Sequence, residues 1–394
     1  MKTTWAYSLI LIPFLGHAIS FHDLSEQAYT VSGELIQSHG RMDAIGFEKA
    51  AVLSGEPLSI ETSGRKINAN TSADSGQQYG VMVDYTMKMP SLRSAQAYEF
   101  DLQKKGTESE MSVQKGLIQV ALKRSWLMYQ LEQERNAVLT QKRDFSYKAY
   151  QVGEKKFKAG RLSQMELLRL ESEYKNTLQE VAAVMMEAEH AQHYLKESVM
   201  SQENVIVDDM NFEFIKSAAL EDRINNAPLL KSLNVRIEAI DAQISTLRHS
   251  TVESVSFGVG MTQEPTQNSL DFRLTVPLAL SSKNENKIAA LMSERSALVH
   301  SREVSKQKLN ISVSGLVEHL QEREERIKVL SENENSYETL FAIAQKGYEG
   351  GVIGQFEYLA AKNAYYDARL RTLQVKQNYI EEMSTIEEKI GGIW

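Results

Sequence analysis

The sequence predicts a mainly helical protein of long coiled-coil helices, with a few β-strands that belong to a membrane β-barrel shared between copies. Three observations predict it: prolines are scarce and badly spaced for short helices, the chain carries one unit twice, and each copy contains a stretch of strict period-two alternation.

The six prolines stand at positions 13, 57, 90, 228, 265 and 277. None falls between Pro90 and Pro228, or after Pro277, so nothing in those stretches forbids very long helices. A helix of roughly 65 residues would run about 100 Å at 1.5 Å rise per residue. Within these stretches Leu117, Val120, Leu127 and Leu131 have coiled-coil-like spacing, and Ala360, Ala364 and Ala368 recur every four residues, where small side chains permit close helix approach.

The N-terminus reads as an export leader, residues 1–20. Lys2 supplies the charge, Trp5 to Leu15 the apolar run, and Ala18-Ile19-Ser20 a small-residue cleavage pattern with the cut expected after Ser20. An exported chain of 394 residues with no cysteine has neither disulfides nor a thiol for a lipid anchor, so packing or oligomerisation must stabilise it. The 42% hydrophobic and 24% charged composition excludes a disordered polyelectrolyte and a many-pass helical membrane protein. A net charge of −8 offers no basic stripe, and nucleic acid is not expected as a partner.

The duplication is read most directly from FKAGRLSQMELLRLESEY (Phe157 to Tyr174) and YEGGVIGQFEYLAAKNAY (Tyr348 to Tyr365), which align without gaps at a constant offset of 191 residues. Gly160/Gly351, Gln164/Gln355, Glu166/Glu357, Leu168/Leu359 and Tyr174/Tyr365 are identical. Helix-like runs from Leu24 to Leu53 and from Leu220 to Leu247 precede the alternating regions. The chain therefore divides into a first repeat, 21–197, with a hairpin about 57–90 and a tip about 159–164. A linker at 198–219 follows, with VIVDDMNFEF as a short strand candidate, and then a second repeat, 220–394, with a hairpin about 254–280 and a tip about 350–355.

In the hairpins, Tyr79, Val81, Val83, Tyr85, Met87 and Met89 alternate with Gly80, Asp84, Thr86 and Lys88. Leu270, Phe272, Leu274, Val276, Leu278 and Leu280 alternate with Asp271, Arg273, Thr275, Pro277 and Ala279. The strand before them sets Val255, Phe257, Val259 and Met261 against Ser256, Gly258, Gly260 and Thr262, and Leu58 with Ile60 opens a weaker fourth. Ten-residue strands with one apolar and one polar face suit a bilayer-spanning barrel as well as a soluble antiparallel sheet. The polar, turn-rich connections favour the barrel. Four strands cannot close one, and an open edge is not tolerated in lipid, so copies must pool them; three copies would supply twelve.

At the tips, Gly160 and Gly351 are placed to end one long helix with positive φ, and Ser163 to cap the next, with Glu166 three residues on as a capping box. Gly354 and Glu357 keep that spacing without the hydroxyl. Three-fold symmetry would bring Glu357, and with it Glu166, near a narrow opening, where clustered carboxylates raise one another's proton affinity and favour cations. No HExxH, GxSxG or GxxxxGK pattern occurs, so an enzyme is not expected. His190, His193 and Glu187 read as a solvated helix face, so no metal and no cofactor are expected.

The leader, the duplicated helical unit, the paired hairpins and the tips KFKAGRLSQMELL and KGYEGGVIGQFEYL resemble the TolC-like outer membrane efflux protein family. The resemblance implies a homotrimer with a 12-stranded barrel in outer membrane lipid, continued by an α-barrel through the periplasm of a Gram-negative bacterium. It would be the exit duct of a tripartite efflux pump or type I secretion system. A periplasmic adaptor (membrane fusion protein) and an inner-membrane transporter would be its partners, the adaptor docking at Gly160, Arg161, Leu162, Ser163, Gly351, Val352, Ile353 and Gly354. Leu162 and the Val352-Ile353 pair are expected to be exposed there. The family's gate maps onto Glu166, Glu357 and Tyr348. Ile353 stands where its constricting salt bridge can carry arginine, and Ala360 where a second acidic ring can occur. The competing reading is a soluble periplasmic coiled-coil adaptor or scaffold protein.

Overall fold

The computed structural model describes residues 19–67, 76–215, 220–264, 267–277 and 282–393. Residues 1–18 of the expected leader, the centre of the first hairpin loop, residues 216–219 of the linker, and Leu278 and Leu280 lie outside the described residues. The elements run α1 (Phe21–Val31), α2 (Gly33–Leu53), β1 (Ser59–Ile67), β2 (Gly76–Lys88), α3 (Pro90–Lys158), α4 (Gln164–Ser198), α5 (Leu220–Asn225), α6 (Pro228–His249), β3 (Ser254–Gln263), β4 (Asn268–Thr275), α7 (Lys283–Glu349) and α8 (Gln355–Ile390). The two proline-free stretches hold α3, 69 residues, and α7, 67 residues, each followed across a short turn by α4 or α8.

Each helix-like run ahead of a hairpin is broken, where the sequence suggested continuity. The first stops at Ser32, whose backbone is extended. The second stops at Ala227, because Pro228 has no N–H to donate backwards and serves as the opening residue of α6.

The chain divides into two compact units, the first comprising residues up to Ile36, Val113–Ala227 and Lys308–Trp394. It is helical, and its seams are apolar: Val120, Leu127 and Leu131 of α3 are buried, whereas Leu117 is exposed. On α8 the buried line is Tyr358, Ala361, Lys362, Tyr366 and Leu373. The alanine ladder meets this line only at its far end: Ala360 is exposed, Ala364 half-buried and Ala368 buried.

The linker crosses this unit as an extended strap pinned by side chains. The Gln192 amide takes both backbone groups of Val205, donating to its carbonyl at 2.8 Å and accepting its N–H at 3.1 Å. Trp126 Nε1 donates to the Met210 carbonyl at 3.0 Å. Phe212, Phe214 and Tyr379 pack edge-on, and the Tyr379 hydroxyl accepts the Ile215 N–H at 2.7 Å. Within the strand candidate, Val207 forms a parallel bridge with Ile19.

The second unit comprises Gln37–Ser112 and Pro228–Gln307. It holds a four-stranded antiparallel sheet in the order β1-β2-β3-β4, so that the hairpins of the two repeats lie side by side and β1 and β4 form the edges. No helix among the described residues is long and apolar enough to cross a membrane.

Candidate functional site

Two features carry functional weight, the faces of the sheet and the helical tips. The register sorts the sheet's side chains into rows across all four strands. On one face run Thr62–Val81–Met261–Leu270, Ile60–Val83–Val259–Phe272 and Tyr85–Phe257–Leu274, closed by Met87–Val255. This face is apolar and uncovered: Ile60 is 69% exposed, Val259 51% and Phe272 76%.

The opposite face carries Ser59–Asp84–Gly258–Arg273, Glu61–Met82–Gly260–Asp271 and Ser63–Gly80–Thr262–Ser269. Its side chains converge. The Arg273 guanidinium of β4 reaches Glu61 of β1 at 2.7 Å, over two intervening strands, and lies 3.9 Å from Asp84. Asp84 lies flat over Gly258, where a Cβ would meet its carboxylate at 2.1 Å. Polar and charged groups thus share one face of the sheet while apolar ones occupy the other, the distribution of a barrel wall between lumen and lipid.

The tips repeat almost atom for atom. Gly160 (φ 70°) and Gly351 (φ 73°) lie in the left-handed region, and each closes a helix with the same pair of hydrogen bonds. Arg161 N–H donates to the Lys156 carbonyl and Gly160 N–H to Phe157; 191 residues on, Val352 donates to Gly347 and Gly351 to Tyr348. Ser163 caps α4 by accepting the Glu166 N–H at 3.2 Å, and Glu166 reaches back to the Ser163 N–H at 2.9 Å and hydroxyl at 2.7 Å. At the second tip Glu357 returns to the Gly354 N–H at 3.3 Å. Both acidic residues expected at the gate are therefore capping carboxylates within the chain. The hydrogen bond from the Ser163 backbone pulls the Glu166 carboxyl below its ordinary value, so the cap persists as pH falls and is lost only beneath the usual carboxylate range.

Replacing Ser163 by alanine is expected to weaken the start of α4 by about 1 kcal/mol. Amide exchange over 164–167 should rise about fivefold. The second tip, whose cap uses no hydroxyl, should not change. Equal protection in the variant would rule out the box as the support of this tip.

The tips touch each other. Lys156 Nζ sits 4.3 Å over the Tyr348 ring, Arg169 stacks on Phe356 at 4.6 Å, and Gln355 Nε2 donates to the Glu166 carbonyl at 3.4 Å. Tyr348 stacks on Tyr358 at 4.7 Å. Burial, with smaller contributions from Tyr348 and Glu349, pushes the Tyr358 hydroxyl up to about 12. Tyr348 is held by its ring: its hydroxyl is buried and has no hydrogen-bond partner among the described residues.

The expected apolar docking patch needs correction. Val352 is 83% exposed, but Leu162 and Ile353 are half-buried. Ile353 folds back onto Gly347, whose missing side chain leaves it room; at Gly153 that room is taken by Leu170, with Leu162 in ordinary contact beside it. The apolar groups that face outward with Val352 are Met165, Leu168 and Phe356. They were missed because Met165 and Phe356 follow the two caps and read as ordinary first-turn residues.

Residues 219–392 match the outer membrane efflux protein family. No curated protein matches the chain by sequence. Among solved structures, the chain is similar to CusC, described for its folding and transmembrane channel formation, at 14% identity and a TM-score of 0.75, covering 95% of this chain and 92% of that one. It is also similar to the outer membrane protein VceC of Vibrio cholerae, at 12% identity, TM-score 0.73, 95% and 96% covered. A third is the open state of the MtrE outer membrane channel of Neisseria gonorrhoeae, at 11% identity, TM-score 0.71, 94% and 89% covered. The family is one of outer membrane efflux proteins, and the CusC and MtrE structures are described as channels. The duplicated hairpins and tips, the match of the second repeat to the outer membrane efflux protein family and the near-complete structural overlap agree: this chain has the TolC-like channel fold.

Proposed function

We propose that three copies of this chain pool their sheets into one 12-stranded barrel in the outer membrane, and that the assembly is the exit duct of a tripartite efflux pump. The observation that carries the reading is the sheet, with exposed apolar rows on one face, charged and polar rows on the other, and open edges at β1 and β4. In lipid the apolar face needs no cover, but the edge strands do, and identical neighbours supply it by pairing β4 with β1. A soluble scaffold would leave Ile60, Val259 and Phe272 in water, and the family match speaks for efflux over other export routes.

The test is fractionation. The protein should pellet with outer membranes, need detergent for release, and give a trimer mass after subtraction of bound detergent. A detergent-free monomer in the soluble periplasmic fraction would refute the reading.

The tips are the docking surface for the hairpin of a periplasmic adaptor, which links the duct to an inner-membrane transporter. Gly160, Arg161, Ser163, Gly351 and Gly354 shape the two turns, and Val352, Met165, Leu168 and Phe356 supply the apolar contact. Three Glu357 side chains ring the opening, each free to give up its 3.3 Å contact with Gly354 when a cation arrives. In planar bilayers, Glu357→Gln is expected to reduce cation preference and weaken block by divalent cations. Unchanged reversal potentials would remove Glu357 from the pore.

A further inference from the structure

We propose that the export leader is cut between Ala18 and Ile19, two residues before the bond suggested by Ala18-Ile19-Ser20, so that Ile19 is the first residue of the mature protein. The inference rests on the export reading above. The small-x-small pattern of a leader peptidase site occurs twice in overlapping frames, as Gly16-His17-Ala18 and as Ala18-Ile19-Ser20. The pattern by itself does not choose between the two bonds.

The fold chooses. Ile19 uses both backbone groups: its N–H donates to the Ile206 carbonyl at 2.8 Å, and its carbonyl accepts the Asp208 N–H at 3.2 Å. Its side chain packs on the cluster of Phe21, Leu24, Leu122, Trp126, Leu195 and Val205. Ser20 caps α1. Its hydroxyl accepts the Asp23 N–H at 3.1 Å and donates to the Asp23 carboxylate at 2.8 Å, and its carbonyl accepts the Leu24 N–H at 3.0 Å.

A cut after Ser20 would discard every one of these contacts. The strap would lose its bridge at Val207, the cluster would lose a side chain, and the first turn of α1 would keep unsatisfied donors. A cut after Ala18 retains them all, and the new ammonium at Ile19 can donate to Ile206 as the amide does. The hydrogen bond from Phe21 N–H to Asp209, 2.7 Å, survives either cut and does not discriminate.

The experiment is amine labelling and mass spectrometry of the full chain, produced with its own leader in a Gram-negative host and recovered from the membrane fraction. The expected terminal peptide begins with Ile19. One beginning with Phe21 overturns the assignment while leaving export intact, and a chain that keeps residues 1–18 overturns both. Ser20→Leu gives a second readout. A bulky residue immediately before the cut blocks processing, whereas two residues after it is tolerated. Processing of this variant at the unsubstituted rate is expected; accumulation of uncut precursor above tenfold would place the cut after Ser20.

Discussion

A Val259→Arg chain is expected to be made and exported but to be lost from the outer membrane, while Thr275→Arg, on the opposite face of the same sheet, assembles in normal amount. Val259 stands in the row Ile60–Val83–Val259–Phe272, mid-strand and flanked by apolar side chains on both neighbouring strands. Arginine at the lipid-facing midplane of a barrel costs about 2–4 kcal/mol per chain, and three chains incur it together. Thr275 pairs with Ser256, itself hydrogen-bonded to Thr86, on the side where Arg273 already finds Glu61. An arginine there meets water and carboxylates. The comparison is made by immunoblot of fractionated membranes, with heat-modified migration reporting the folded barrel. If both variants disappear equally, the substitution harms export or folding in general and the two faces are not lipid and lumen. If both assemble, the apolar face does not meet lipid.

Much of this arrangement was legible in the sequence because it depends on short-range periodicity. Alternation at Tyr79 to Met87 and Val255 to Met261 assigns each side chain to a face before any register is known. The 191-residue offset identifies both tips, and glycine at the end of a long helix before an acidic cap specifies its own geometry. What stayed hidden depends on contacts between distant segments. The Arg273–Glu61 pair joins residues 212 apart in sequence and exists only because the register sets both on one face of the sheet. Leu162 and Ile353 are apolar at a turn, which the pattern reveals, but that Ile353 turns inward depends on the space left at Gly347. On α8 the alanine ladder was the visible repeat, yet only Ala368 of it is buried, and the seam also takes in Ala361 and Lys362. A charged residue in a seam is the feature that periodicity assigns to solvent.

That lysine should respond most strongly to substitution within the helical unit. Lys362 is fully buried on α8, donating to Ser146 Oγ of α3 at 2.8 Å and pairing with Glu173 of α4 at 3.0 Å. Beside it Lys142 pairs with Glu180 at 3.1 Å and approaches Asp367 at 3.8 Å. Removing one partner of such a buried pair costs about 3–5 kcal/mol, because the other is left uncompensated. Glu173 retains 24% exposure, so it recovers some hydration and Lys362→Ala belongs near the lower limit. Replacing the pair by apolar residues of similar volume, Lys362→Met with Glu173→Leu, removes the stranded charge and is expected to restore most of the loss, which a packing defect alone would not allow. Burial holds the Lys362 ammonium below its ordinary value near 10.5, against the opposing pull of Glu173. The native state therefore binds that proton less readily than the unfolded chain. Between the lowered value and 10.5, stability rises with pH through this group. Denaturant midpoints of the detergent-solubilised protein should then move in favour of the unsubstituted chain, relative to Lys362→Met, as pH increases through that window. A constant difference between the two would mean that Lys362 titrates alike in both states, and that its burial carries no electrostatic cost.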